Sequence, residues 1–288
     1  MNPSLTRRWR GATLLAAALL LVGCTSSLVY NRLDTIARWY LGSLVSLDDA
    51  QQASLRDWLA RSLAWHRDTE LKRYELFLRE LSADVAAGPD PARLPRVMQQ
   101  AEGFVDEVAA RMAPEAAQLL TTLRPDQVDE FLGNLEKRNR EELDEELERT
   151  PSERQKRRIR SMTKTLEKWT GSSTPEQKAI IERTVNELGA AGLLGETDEW
   201  FASQTAWRNA LRQALAKGAA GRDEVEALLR EPQKTHTPAH QAAQADQRRR
   251  FMAFGIELDG ALTPKQRATL AGKLTDLAQD LRSLQPAP

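Results

Sequence analysis

With one cysteine in 288 residues, Cys24, the chain can form no internal disulfide, so packing alone must hold its fold together. Neither sign of charge is in surplus: 41 Lys and Arg balance 41 Asp and Glu, which argues against nucleic acid as a partner. Glycine (15) and proline (13) are sparse for this length, aromatics make up 6%, and no run shows strand alternation strong enough to outcompete a helical reading. What remains is rich in Ala, Leu, Glu, Arg and Gln, the strong helix formers. The expected fold class is all-α, an elongated multi-helix bundle of long antiparallel helices.

The longest apolar run, Leu14 to Val22, follows Arg7, Arg8 and Arg10 and ends in Gly23-Cys24. A positive start, a short apolar core and a small residue at the end make residues 1–23 a secretory signal. From Gly11 to Gly23 the stretch falls short of the ~20 residues needed to span a bilayer. Leu21-Val22-Gly23-Cys24 resembles the lipobox of bacterial lipoproteins. That resemblance implies that Cys24 becomes the first mature residue, acylated on its sulfur and its amine, and that the protein reaches the membrane through this anchor. Thr25 in the next position favours the periplasmic face of the outer membrane. Removal of the signal leaves 38 basic against 41 acidic residues, enough chain for one large domain or two small ones.

Helical periodicity then organises the chain into a body, residues 24–231, a linker candidate, 232–241, and C-terminal helices, 242–288, packing on the body. Leu33, Ile36 or Ala37, Tyr40 and Leu44 recur at helical spacing directly behind the anchor. Arg38, Trp39 and Tyr40 have two readings: core of the first helix packing, the usual place for such aromatics, or contact with lipid headgroups. A long helix should run from Asp48 to about Ala87 with Leu55, Leu59, Leu63 and His66, then Leu71, Tyr74, Leu78, Leu81 and Val85, on its apolar stripe. The two series are out of step at Trp65-His66-Arg67-Asp68-Thr69-Glu70. Gly88-Pro89-Asp90-Pro91 stops it. Ala92–Met112 and Glu115–Leu123 flank Pro114 as two helical pieces.

Further along, Pro125 opens a helix with Val128, Phe131, Leu135, Leu143 and Leu147 on one face and the acidic run 141–146 at its end. The next, Arg154 to Trp169, carries Lys156-Arg157-Arg158-Ile159-Arg160, and the two charged blocks read as solvated faces. Glu176 to Leu188 follows, then a helix capped by Thr197 with Trp200, Gln204, Trp207, Leu211 and Leu215 as its seam. Asp223–Arg230, Ala242–Leu258 and a last helix with Leu270, Leu274, Leu277, Leu281 and Leu284 complete the set.

One pattern recurs at helix starts: Leu262-Thr263-Pro264-Lys265-Gln266, Ser173-Thr174-Pro175-Glu176-Gln177, Leu47-Asp48-Asp49-Ala50-Gln51 and, more loosely, Leu123-Arg124-Pro125-Asp126-Gln127. It reads as a capping box, with Thr or Asp accepting from the third helical amide and Gln reaching back. Arg124 cannot cap as Thr does. Leu-Thr-x-x-Gln also resembles the motif of Spy and CpxP-type periplasmic chaperones, although this chain is about twice their length.

A closer resemblance rests on Leu28-Val29-Tyr30-Asn31-Arg32-Leu33-Asp34, Arg38-Trp39-Tyr40-Leu41 and Trp65-His66-Arg67-Asp68-Thr69-Glu70-Leu71 with Arg73-Tyr74. These segments are similar to proteobacterial lipoproteins grouped as domain of unknown function family 6279. The resemblance implies a signal, a lipidated cysteine and a helical body, and lends no activity. His66 and Glu70, one turn apart, could orient one another or share a metal, but two ligands make no site and a structural histidine at a seam edge is the commoner case. His236 and His240 flank Thr237-Pro238 and read as linker histidines. No nucleophile elbow, phosphate loop or metalloprotease motif is present in the sequence. The sequence therefore points to a non-catalytic lipoprotein without cofactor or metal that binds another envelope protein, chaperone-like or stress-related. A structural or lipid-handling factor is the alternative, and an enzyme using His66 and Glu70 a more distant one. Arg38, Trp39, Tyr40, His66, Arg67 and Glu70 are the candidate contact residues.

Overall fold

In a computed structural model, residues 30–194 and 198–286 are described. The signal 1–23, Cys24 and the Thr197 cap lie outside them. In chain order the elements are α1 (Leu33–Gly42), α2 (Asp49–Trp65), a π turn (His66–Glu70), α3 (Leu71–Ala86), α4 (Arg93–Leu120), α5 (Pro125–Leu147), α6 (Pro151–Thr170), α7 (Pro175–Ala190), α8 (Asp198–Leu215), α9 (Arg222–Arg230), α10 (Pro238–Gly260) and α11 (Pro264–Ser283). Two short 3-10 turns, Gly218–Gly221 and Pro232–Thr235, flank α9. No strand occurs among the described residues, and the fold is an all-α helical bundle. No helix among them is long and apolar enough to cross a membrane.

The recurrent helix starts do more than cap. Asp48, Thr174 and Thr263 each accept the backbone N–H of the glutamine three residues on, and each glutamine accepts the N–H of its own N-cap. The four glutamines also pair. Gln51 donates to Gln127 at 3.0 Å and accepts from it at 2.8 Å; Gln177 donates to Gln266 at 2.7 Å and accepts from it at 2.9 Å. The remaining N–H of each amide donates to the carbonyl two residues before the partner's N-cap: Thr122, Ser46, Ala261 and Ser172 respectively. Every lone pair and hydrogen of these buried amides is thereby used. Arg124 contributes only its backbone N–H, which donates to Gln127 at 3.0 Å, while its guanidinium reaches Asp48 at 3.2 Å.

Three apolar clusters fill the bundle. The first joins α3, α4 and α11 through Leu71, Tyr74, Leu78, Phe104, Leu274 and Leu281. The second gathers Leu44, Ala117, Phe131, Leu211 and Val225 from the turn after α1 and from α4, α5, α8 and α9. Leu166, Ile181 and Val185 of α6 and α7 form the third, with Phe254 and Leu258 of α10 against them. α4, 28 residues and ~42 Å long at 1.5 Å per residue, runs from the first cluster to the second.

The π turn explains the broken stripe of the long helix. Leu59 and Leu71 are both buried yet twelve residues apart, which in a regular α-helix would set them roughly 120° apart. Absorbing one residue in a wider turn reduces that to roughly 20°, so one face stays inward on both sides. Several expectations need correction. Pro114 does not divide α4; Ala113 and Ala117 beside it are buried, and close packing on α9 outweighs the missing backbone bond. Leu147 is exposed, because the last turn of α5 belongs to the charged end where Arg149 pairs with Glu145 and Glu146. Across that hairpin Arg157 reaches Glu146 at 4.0 Å. α10 starts at Pro238 rather than Ala242, capped by Thr237, whose own N–H donates to Ser203 of α8 at 3.0 Å. His236 and His240 are therefore held against α8, with ring centroids 4.9 Å apart, and His240 is buried.

A buried ionic knot closes the corner between α3 and α4. Asp259, at the end of α10, accepts from Arg93 at 2.8 and 3.0 Å, from Arg267 at 3.0 Å and from the Asp90 N–H at 3.2 Å. The carbonyl of Gly88, whose φ of +124° suits glycine, accepts from both arginines. Asp259→Asn leaves two guanidiniums buried with too little countercharge, and chemical denaturation should show a loss of about 3 kcal/mol. Gln177→Leu strands the Thr174 N–H and the Ala261 carbonyl and leaves Gln266 without its partner amide, a loss of at least about 3 kcal/mol at 1–3 kcal/mol per buried group. Adding Gln266→Leu should then cost less than it does alone, with a coupling of about 1–2 kcal/mol in the double-mutant cycle. Additive losses would show the two amides to be independent.

Candidate functional site

The π turn places an unusual density of polar and aromatic side chains at the junction of α2 and α3. His66 Nδ1 and the Tyr30 hydroxyl share a hydrogen bond of 2.8 Å, and the His66 ring meets Tyr74 edge-on at 5.5 Å. Arg67 donates to Asn31 at 2.7 Å while its guanidinium lies over the Tyr30 ring at 5.2 Å. Two residues just before α1 are thus fastened to two residues of the π turn. Tyr74 continues the aromatic contact to Phe104 of α4 at 4.7 Å, and Phe104 to Phe77 at 5.5 Å.

Glu70 is 1% exposed and accepts from Arg73 at 3.1 and 3.3 Å. Arg73 also pairs with Glu107 of α4, so one guanidinium bridges two carboxylates, one buried and one at the surface. The Tyr74 hydroxyl is buried beside Glu70 without hydrogen-bonding geometry to it; burial first, and that negative charge second, push its pKa up. Burial also pushes Tyr30 up to about 12, against the opposing pull of Arg67. His66 is pushed down to about 4 by burial. At neutral pH the cluster holds two protonated phenols and an uncharged imidazole. A base that takes a proton only near pH 4 is poorly matched to acid–base work at pH 7.

Beside this cluster, Arg73, Leu76, Phe77, Gly103, Phe104 and Glu107 line an open cleft of about 290 Å³ between α3 and α4. Leu76 is 57% exposed at its edge. Its apolar floor and ionic rim are continuous with the Glu70–Arg73–Glu107 bridge.

Of the residues singled out in the sequence, the structure brings His66, Arg67 and Glu70 together at the π turn. Glu70 serves Arg73 rather than His66. No group of three or more His, Cys, Asp or Glu able to hold a metal occurs among the described residues. Arg38, Trp39 and Tyr40 lie elsewhere, on α1. The core reading of these aromatics is overturned: Trp39 is 74% and Tyr40 43% exposed. The half-buried face of α1 is Leu33, Ala37 and Leu41, so Ala37 and not Ile36 lies inward. Tyr40 instead stacks under Arg138 of α5 at 4.8 Å, and Arg138 donates to Ser43 at 2.7 Å. Cys24 lies outside the described residues.

Two of the three segments that carry the resemblance noted in the sequence meet here, Tyr30 and Asn31 on His66 and Arg67, and Glu70 on Arg73, while Arg38-Trp39-Tyr40-Leu41 does not. A family model described as a family of unknown function, DUF6279, matches residues 43–241, well over half of the chain. The chain belongs to DUF6279. No curated protein and no solved structure matches it. The DUF6279 match includes the π turn and the Gln51–Gln127 pair, stops short of Gln266, and leaves α11 outside. What sequence reasoning missed is the role of Tyr30, Tyr74 and Phe104, since no local pattern links Tyr30 to a histidine 36 residues away.

A neutral, buried His66 stabilises the fold fully above its unfolded pKa near 6.5, and that stability is lost as pH falls toward about 4. Thermal melts of wild type should fall more steeply from pH 6.5 to 4 than those of His66→Gln, by up to about 3 kcal/mol. Parallel pH curves for the two proteins would show that His66 is not held neutral by the fold.

Proposed function

We propose that this DUF6279 chain is a lipid-anchored, non-catalytic helical protein of the bacterial envelope, facing the periplasm from the outer membrane, that holds another envelope protein. The observation that carries this reading is the fastening of Tyr30 and Asn31 to the π turn, six residues after a cysteine set in a lipobox pattern. A cysteine acylated there would join the bilayer to the bundle through five intervening residues, at most roughly 20 Å of extended chain. Acylation on both sulfur and amine would supply the two signals that stable anchoring requires. The α3–α4 cleft supports the holding of a partner, because an exposed Leu76 beside buried phenylalanines and a charged bridge combines an apolar anchor with an orienting rim.

Replacing Cys24 by Ser should leave the precursor unprocessed, abolish palmitate labelling and remove the protein from the outer-membrane fraction. Normal processing and fractionation would overturn the anchor. A photo-crosslinking residue at position 76 should give a discrete protein adduct in living cells that the same residue at exposed position 147 does not. Absence of any adduct at 76 would overturn the partner-holding role.

A further inference from the structure

We infer that α1 is a second, non-covalent membrane contact: the face bearing Ile36, Trp39 and Tyr40 lies in the headgroup region of the bilayer that carries the Cys24 acyl chains. The inference rests on the anchored reading above. Residues 36, 39 and 40 share one side of the helix, and they are 45%, 74% and 43% exposed. The flank next to it, Leu33, Ala37 and Leu41, is the half-buried one. α1 thus carries large apolar side chains on its exposed flank as well as on its half-buried one, unlike a helix that serves only the core.

The position of the helix names its occupant. α1 begins three residues after Tyr30, and Tyr30 is pinned to His66, so its first turns cannot move far from the point where the acylated segment enters the bundle. Tyr40 is only ~10 Å further along the axis. An anchor at Cys24 reaching at most roughly 20 Å brings the whole outward face within range of the headgroups. The chemistry fits that layer. Indole and phenol rings favour the boundary between hydrocarbon and water, and arginines beside them can meet phosphate while their stems stay apolar. Arg138, stacked on Tyr40, and exposed Arg32 are placed for this, whereas Arg38 is paired with Asp34 at 3.0 Å. A helix lying in the interface in this way would fix the tilt of the bundle, which a single point of attachment cannot do.

The test uses the full chain, acylated in cells and reconstituted into phosphatidylethanolamine and phosphatidylglycerol vesicles, with or without bromine on the acyl chains. The difference in tryptophan emission between wild type and Trp39→Phe isolates Trp39. This exposed substitution should leave the thermal melt unchanged. In unbrominated vesicles the difference should be present, and in brominated vesicles most of it should be lost. Co-flotation of protein with vesicles and an undiminished difference would overturn the inference while leaving the anchor standing. A blue-shifted but unquenched Trp39 would also overturn it, since a protein would then cover the face. Failure of the wild type to float with the vesicles would remove the anchor itself, and the α1 contact with it.

Discussion

Two reciprocal glutamine pairs govern how this chain is folded back on itself. A neutral amide carries two donors and two acceptor sites, and here all are spent on a partner amide, the residue's own N-cap and the carbonyl leading into the opposite helix. Four segments meet at each junction with nothing left unpaired. Because no net charge is buried, the junction avoids the desolvation penalty that an ion pair would carry, while an incomplete set of partners would be costly. Gln51 meets Gln127 across 76 residues and Gln177 meets Gln266 across 89, so the two junctions set the spacing of the long helices before the apolar clusters are considered. The Asp259 knot performs the complementary task at the α3–α4 corner with charges instead of amides.

The π turn is the second organising feature. It keeps one face of a long helix inward and, in the same stroke, turns a histidine and an arginine toward the chain segment that precedes α1. The turn that corrects the phase of the core thus also holds Tyr30 and Asn31, ahead of α1. The adjoining bridge from Glu70 through Arg73 to Glu107 carries the same cluster to the edge of the cleft.

Much of the helical plan was legible in composition and period. Apolar repeats located the last helix and the seam of α8, and the Thr-Pro-x-Gln starts located their helices to within a residue. The break in the stripe at 65–70 marked the π turn without revealing it, because periodicity reports a phase error and not the wider turn that repairs it. Pro114 misled because a propensity rule for isolated helices ignores the packing on α9. Trp39 and Tyr40 misled because the weight of an aromatic pair outranked Ala37, which lies on the half-buried face with Leu33 and Leu41. Sequence gave the capping role of the glutamines and not their pairing, since pairing depends on which two helix starts the folded chain brings together. The contacts of Tyr30 and Phe104 are long-range for the same reason.

The pairing of α3 with α11 has a consequence for how the molecule comes into being. α3 is made when a quarter of the chain exists, whereas Leu274, Leu277 and Leu281, which cover it, arrive with the last twenty-five residues. Until then Leu71, Tyr74 and Leu78 have only the cover of α4, including Phe104, and closure of the first cluster waits on a loop of nearly two hundred residues. The nascent chain therefore spends most of its synthesis with α3 half-dressed, a window in which a chaperone or a neighbouring copy competes with its own C-terminus.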